Sequence, residues 1–339
     1  MIKKIAIEDA LKKTDCLWID ARSPNEYEED HILDAINLPL LDNEERHEVG
    51  VIYKQISREK AIEKGMEYYA KKIPNIYEAV KEYREKEIII YCARGGMRSG
   101  IIASLLDSIG FTVFQVEGGY KLFRNYMVKT FNQYDLKPKV VVLWGLTCTG
   151  KTDLLKNFPN SLDLEGLAQH RGSLMGALGL KPNSQKKFEN LLLKRLDELQ
   201  KENVILIEGE SRRIGDVIIP EFLYKKMLGG TQILITRDLK ERAKAMVKEY
   251  FIKEHLEEIK TIVTSFNRLI SNKRKTDFVR LVDEKKYEEA ATIILTEYYD
   301  PLYQHTLKNF TYSFMINNDL ISQGVKEIKK VLLQFTKIS

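Results

Sequence analysis

Along this chain, short apolar runs alternate with longer stretches in which apolar residues recur at helical spacing. CLWIDAR (16–22), EIIIYC (87–92) and FTVFQVEGGY (111–120) each read as a buried strand running into polar or glycine-rich turn residues. Their alternation with helical stretches predicts a small parallel-sheet α/β domain. Between the first two lies PLLDNEERHEVGVIYKQISREKAIEKGMEYY, a mostly helical connection well beyond the minimum such a sheet needs. The polar stretch FNQYDLKPKV (131–140), with Pro138 stopping the helix before it, is the expected seam. KVVVLWG (139–145), NVILIEGE (203–210) and GTQILITRD (230–238) then predict a second sheet. From about residue 239 onward, leucine, isoleucine and tyrosine recur at helical spacings among lysine and glutamate, predicting several helices with breaks near 277–282 and at Asp300-Pro301. The expected organisation is a first domain over 1–130, a linker over 131–138, a second α/β domain over 139–240 and a helical extension over 241–339 that packs on it.

Two of the predicted strand ends carry anion chemistry. YCARGGMRSG (91–100) places Cys92 where a strand runs out into a glycine-rich turn and a helix starts. N–H groups there have no internal partner, so the backbone through Gly95, Gly96 and Ser99 can surround an oxyanion. Arg94 and Arg98 add positive charge, and the same field favours a thiolate at Cys92. GLTCTGKT (145–152) has the G-x-x-x-x-G-K-[ST] spacing after a strongly apolar strand. A tight turn with a solvent-facing lysine is the bland reading, but the strand before it and the helical stretch after it favour phosphate binding. Gly145, Thr147 and Gly150 let the backbone approach, Lys151 supplies a charge, and Thr152 offers a hydroxyl to phosphate or Mg²⁺. Two further segments should face that loop: SLDLEGLAQHRGS (161–173), with Asp163, Glu165, His170 and Arg171, and IEGESRRIG (207–215), with Glu208, Glu210, Arg212 and Arg213. Adjacent arginines are often surface decoration; beside a phosphate loop they can instead clamp a pyrophosphate or an RNA backbone.

Composition narrows the class. The 339 residues are 44% hydrophobic and 30% charged, ordinary for a globular protein and enough for two cores. No amino-terminal stretch has the secretory pattern, and the apolar runs are too short to cross a bilayer, so no membrane partner is expected. Three cysteines make neither a disulfide framework nor a clustered zinc site, which points to the cytoplasm. A formal charge of +5 fits a phosphate-rich partner without demanding one.

The first domain resembles the rhodanese family in IDARSPNEYEEDHILDAINLP (19–39), YCARGGMRSG and VEGGYKLFR (116–124). The whole chain resembles the tRNA 2-selenouridine synthase family, which joins a rhodanese domain to a P-loop domain in this order. The distinguishing stretches are PLLDNEERHEVGVIYKQISREKAI (39–62), DLEGLAQHRGS (163–173) and ESRRIG (210–215). The resemblance implies an α/β transferase acting on a tRNA anticodon stem-loop whose wobble uridine carries sulfur at C2. A geranyl group from geranyl diphosphate would first be attached to that sulfur, and selenium from selenophosphate would then replace the S-geranyl group. A selenophosphate-producing enzyme would be the supplier, and no tightly bound cofactor is implied. Carried onto this chain, Cys92 is the loop cysteine, taking selenium as a selenyl sulfide unless selenide attacks directly. The loop from Gly145 to Thr152 would hold the diphosphate, with Mg²⁺ on Thr152 and a carboxylate from Asp163 or Glu208. LMGALGL (174–180) and Phe188 are the apolar candidates for the geranyl tail or equally ordinary core, and the tyrosines of the tail segment are candidate base-stacking platforms, with core packing the safer assignment for each alone. Two residues depart from the family pattern: Asp30 where rhodanese domains usually have glycine, and Cys148 inside the phosphate loop. Two other readings stay open: an NTPase or small-molecule kinase fused to a sulfurtransferase, and a non-catalytic tRNA carrier.

Overall fold

The computed structural model describes residues 2–265 and 270–336. The chain divides into two compact units, Met1–Tyr134 with Glu189–Leu191, and Asp135–Phe188 with Leu192–Ser339.

In the first unit, strands β1 (Lys3–Ile5), β2 (Cys16–Asp20), β3 (Ile36–Asn37), β4 (Glu87–Tyr91) and β5 (Val113–Val116) form one parallel sheet in the order β1-β5-β4-β2-β3. Central β4 pairs with β2 so that Cys16 lies opposite Glu87 and Asp20 opposite Tyr91. Ile88, Ile89 and Ile90 are all fully buried, because helices cover both faces of a parallel sheet. The long connection between β3 and β4 folds as two helices, Asn43–Gln55 and Arg58–Val80. Asp42 and Glu45 form a capping box on the first, and Ser57 caps the second by accepting from the Lys60 N–H.

A buried ion pair ties the end of β2 to the loops around it. Arg22 donates to Asp20 at 2.7 Å and to the Asp30 carbonyl at 2.6 Å, while the Tyr120 hydroxyl donates to the Asp30 carboxylate at 2.6 Å. Asp30, which departs from the usual glycine, is thus a buried acceptor in this network.

The second unit holds β6 (Lys139–Trp144), β7 (Ser161–Leu162), β8 (Val204–Glu208), β9 (Arg213–Ile214), β10 (Val217–Ile218), β11 (Thr231–Thr236) and β12 (Phe314–Asn317). Its five-stranded sheet is parallel, ordered β12-β11-β6-β8-β7, and β9 and β10 form a separate antiparallel pair. The carboxyl ends of neighbouring β6 and β8 bring GLTCTGKT and Glu208 side by side, where open α/β sheets place their ligands. The two units match the expected fold class: a rhodanese-like domain, then a P-loop parallel-sheet domain with carboxyl-terminal helices.

The tail differs from expectation in two places. Residues 277–282 lie inside the helix Asn272–Asp283 instead of breaking it. Pro301 lies in the first turn of the helix Asp300–Leu307, directly after a π-helical turn at Leu295–Tyr299, so it does not stop the chain there. Proline is tolerated in a first turn, where its missing N–H is not needed. The tail also contributes β12, a strand where only helices were expected. Tyr250, Tyr298 and Tyr299 are buried in the helical core with Met246, Phe278 and Ile294, and Tyr287 and Tyr303 pack against it, so these rings build a core. No helix among the described residues is long and apolar enough to cross a membrane.

Removing one partner of the buried pair tests this account of the first unit. Asp20→Ala leaves the Arg22 guanidinium without its carboxylate and should cost about 3–5 kcal/mol. Urea unfolding, followed by hydrogen exchange of the β2 and β4 amides, checks it; a loss under about 1 kcal/mol would show that water replaces the carboxylate.

Candidate functional site

The β4 strand ends at Tyr91, and the helix Met97–Ser108 begins five residues beyond Cys92. Among the described residues, the backbone N–H groups from Ala93 to Arg98 find no backbone acceptor. The loop keeps its shape through close backbone packing. The Tyr120 N–H donates to the Cys92 carbonyl at 2.9 Å and the Lys121 N–H to the Ala93 carbonyl at 3.0 Å. A Cβ on Gly119 (φ +57°) would stand 2.2 Å from the Cys92 carbonyl oxygen, and one on Gly95 (φ +63°) 2.5 Å from that of Val116. Both positions therefore require glycine.

Cys92 is buried, and the Ser99 hydroxyl donates to its sulfur at 3.2 Å. Gln115, buried on β5, donates to the Ser99 oxygen at 2.8 Å and to the Gly95 and Gly96 carbonyls at 3.1 and 3.0 Å. Gln115 was not among the sequence candidates; its one signal is a lone polar residue in the apolar run FTVFQV. Arg98 meets Glu26 at 2.6 Å. Burial pushes the Glu26 carboxyl upward, but Arg98 outweighs that and holds it down at about 2. Arg94 is exposed, and among the described residues it makes no ion pair. A cavity of about 800 Å³ opens over the loop, with Cys92, Arg94, Gly96 and Arg98 on its wall.

In the second unit, a cavity of about 380 Å³ gathers Thr147, Gly150, Lys151 and Thr152 with Glu165, Arg171, Glu208 and Glu210. Lys151 Nζ lies 3.3 Å from the Gly145 carbonyl and 4.0 Å from Glu208 Oε1, to which the Thr152 hydroxyl donates at 3.0 Å. Glu165, Glu208 and Glu210 offer carboxylate oxygens within 4.8 Å of one another. Burial raises all three carboxyls, Glu208 to about 8, and repulsion from neighbouring glutamates adds to the rise at Glu165 and Glu208. Burial alone would lower Lys151, but those carboxylates keep it above the usual lysine value. One lysine cannot neutralise three carboxylates. Glu208 Oε2 is buried with no partner among the described residues, so an all-oxygen group with Thr152 suits a hard divalent cation.

Four other candidates stand elsewhere. Asp163 caps the helix Leu164–Ala168 by accepting from the Gly166 N–H at 2.8 Å. His170 accepts from the Gly172 N–H at 3.1 Å, its ring packs against Gly176 and Gly215, and burial lowers its pKa. Arg212 and Arg213 lie on the exposed approach to the β9–β10 hairpin, where Arg213 pairs with Asp216 at 2.9 Å.

Arg171 donates to the Leu178 carbonyl, pairs with Glu249 at 2.6 Å and lies over the Tyr250 ring. Arg242 is a brace, donating to the Thr147 carbonyl at 2.9 Å and pairing with Asp300. Two further residues complete the loop. Asn318, fully buried after β12, donates to the Thr149 carbonyl at 2.7 Å and crowds Gly150 (φ +84°). Arg237 lines the cavity, and its buried Nε has no partner among the described residues. Burial pushes the Cys148 thiol up to about 12, which makes it a packing residue.

Comparison with known proteins gives the family of both domains. The family model for the rhodanese-like domain matches residues 6–126, and that for the tRNA 2-selenouridine synthase AAA domain matches residues 138–273. The tRNA 2-selenouridine synthase of Hydrogenovibrio crunogenus (strain DSM 25203 / XCL-2) is 31% identical over 348 residues, covering 90% of this chain and 94% of that one. The chain belongs to the tRNA 2-selenouridine synthase family. Family membership carries a transferase activity in tRNA modification. Among solved structures, the amino-terminal domain of a Clostridium difficile 630 protein is 50% identical over 37% of this chain and 99% of that one, with a TM-score of 0.36. A rhodanese-related protein from Thermoplasma volcanium is 18% identical over 37% of this chain and 92% of that one, with a TM-score of 0.23.

The glutamate group of this family member makes a pH prediction. The ordinary value for Glu208 is 4.5 and its folded value about 8, so between the two the folded protein binds more protons than the unfolded chain. Stability should therefore fall as pH rises through that window in cation-free protein, by at most about 4 kcal/mol. Glu208→Gln should flatten the slope, and Mg²⁺ should raise Tm more at about pH 8 than at about pH 5. Thermal melts across the window, with and without Mg²⁺, measure both.

Proposed function

We propose that this chain converts wobble 2-thiouridine in tRNA to 2-selenouridine by two transfers: geranylation from geranyl diphosphate, then selenation from selenophosphate. The observation that carries this reading is that one chain of this family holds two anion loops of different chemistry. One sets Lys151 and Thr152 among three glutamates, and the other is built around a thiol.

The phosphate loop serves the first transfer. Its N–H groups, Lys151 and Arg237, whose buried Nε has no partner among the described residues, hold the diphosphate. A divalent cation on Thr152 and the glutamates would add charge neutralisation to the same group. The thiocarbonyl sulfur attacks the allylic carbon, the carbon–oxygen bond breaks, and diphosphate leaves with the electron pair. The base loses its N3 proton and becomes the S-geranyl form. No phosphoryl group moves, so ATP has no part in this scheme.

The Cys92 loop serves the second. Selenophosphate sits among the N–H groups of residues 93–98, with Arg94 available and Arg98 held by Glu26. Attack by the Cys92 thiolate at phosphorus breaks the P–Se bond, leaves S-phosphocysteine and frees selenide without a change in oxidation level. Selenide adds at C2, geranylthiolate leaves, and water returns the phosphoryl group as phosphate. Loading selenium onto Cys92 as a selenyl sulfide would instead move two electrons to phosphorus and require an added thiol to release the product. The phosphorus route needs neither. The partners this reading requires are a thiolated anticodon stem-loop and an enzyme that makes selenophosphate.

Two variants separate the transfers. Lys151→Ala should slow geranylation at least about a hundredfold, the scale of removing one preorganised charge. Selenation of supplied S-geranyl tRNA should stay within about threefold, since Lys151 holds only diphosphate. Equal loss of both in folded protein counts against the division. Cys92→Ser should keep geranylation and lose selenation, because a serine hydroxyl is far less acidic than a thiol. Mass spectrometry of single-turnover nucleoside products reads both, and unchanged selenation by Cys92→Ser would remove Cys92 from the chemistry.

A further inference from the structure

The cavity over Cys92 is larger than selenophosphate needs, about 800 Å³ against about 380 Å³ at the phosphate loop. Its far wall is apolar. Tyr53 on the helix Asn43–Gln55, Ile62 and Met66 on the helix Arg58–Val80, and Met97 beside the Cys92 loop all line it, and all four are exposed. Leu41 and Ile101 close its inner side, and Arg46, His47 and Lys54 also reach it. Four large exposed apolar side chains round one hollow mark a binding surface more than a solvated helix face.

We infer that this hollow receives the geranyl chain of the S-geranyl base and thereby sets C2 against the Cys92 loop. The inference rests on the two-transfer reading above and adds to it a site for the prenyl group. Three observations select this occupant. First, Cys92 lies on the wall of the same hollow, so a chain lodged there stays joined to the sulfur that must leave. Second, the apolar candidates near the phosphate loop are largely used in packing: Met175 and Leu178 belong to the helical core and Phe188 is fully buried, which leaves Leu174 exposed and Leu180 half-buried. Third, Arg46, Lys54 and Arg94 on the lining suit the phosphates of the RNA that carries the base. A small polar ligand would use the cradle and leave the apolar wall wet. A prenyl chain covers both.

The site makes the alkyl group a specificity element: an S-alkylated base is a substrate in proportion to the chain it can bury. The test uses anticodon stem-loop RNAs bearing S-methyl, S-dimethylallyl or S-geranyl 2-thiouridine, with selenophosphate and the full-length protein. In wild type, kcat/KM for selenation should rise at least about tenfold from S-methyl to S-geranyl, carried mainly by KM. Met66→Glu and Ile62→Glu, both at exposed positions where folding is safe, should each cut that preference to below about threefold. Equal rates for the three alkyl groups in wild type, or an unchanged preference in both variants, overturns the assignment while leaving the two-transfer reading intact. A change in oligomeric state with the chain-length preference unchanged would assign the wall to a second copy of the chain and also overturn it. If wild type selenates no S-alkylated RNA yet converts 2-thiouridine directly, the two-transfer reading falls, and the prenyl site falls with it.

Discussion

A parallel strand that ends where a helix begins leaves backbone N–H groups without acceptors, and both halves of this chain are organised around that deficit. At Cys92 the open N–H groups run from Ala93 to Arg98, in a loop that lines a cavity. At Gly145 the same geometry follows β6. Neither loop could stay open if its backbone were free to collapse onto itself. Gly119 pressing on the Cys92 carbonyl, and Asn318 donating to Thr149 while crowding Gly150, hold the two loops in the shape that leaves the donors free.

The charges around each loop divide the chemistry. At the rhodanese loop, Glu26 engages Arg98, Ser99 donates to the sulfur and Gln115 donates to Ser99, so Cys92 is positioned by a neutral donor that is itself held in place. At the phosphate loop the imbalance runs the other way, with three raised carboxyls round one lysine and a carboxylate oxygen left without a partner. The first arrangement suits a nucleophile meeting a small anion. The second suits a diphosphate arriving with a cation. Buried like charges are costly, and a structure that keeps them has a ligand's charge in its accounts.

The two helices inserted before β4 extend the first unit beyond what its sheet requires. The second packs Tyr69, Ile76 and Val80 into the core of the sheet, and the pair present Tyr53, Ile62 and Met66 to the cavity. The tail helices of the second unit do the opposite. Their tyrosines turn inward, onto Met246 and Phe278, and leave charged residues outside. Apolar residues at helical spacing thus line a cavity in one unit and fill a core in the other.

Both loops were legible in the sequence because strand, turn and helix start are neighbours along the chain, and CARGGMRS and GLTCTGKT each contain their own geometry. The fold class followed from the same alternation of apolar runs and helical stretches. β12 was not legible, since a four-residue segment with three apolar residues reads equally well as part of a helix until a neighbouring strand offers it hydrogen bonds. The partners of the loops were hidden for a related reason. Glu26 reaches Arg98 across 72 residues, and Asn318 reaches Thr149 across 169. Sheet order alone decides such meetings, and no local pattern records it. Sequence by itself determined that this chain has two glycine-bearing turns between a strand and a helix start. Only the tertiary structure decided what surrounds each one, because charge, burial and apolar walls are set by residues that come together after the chain has folded.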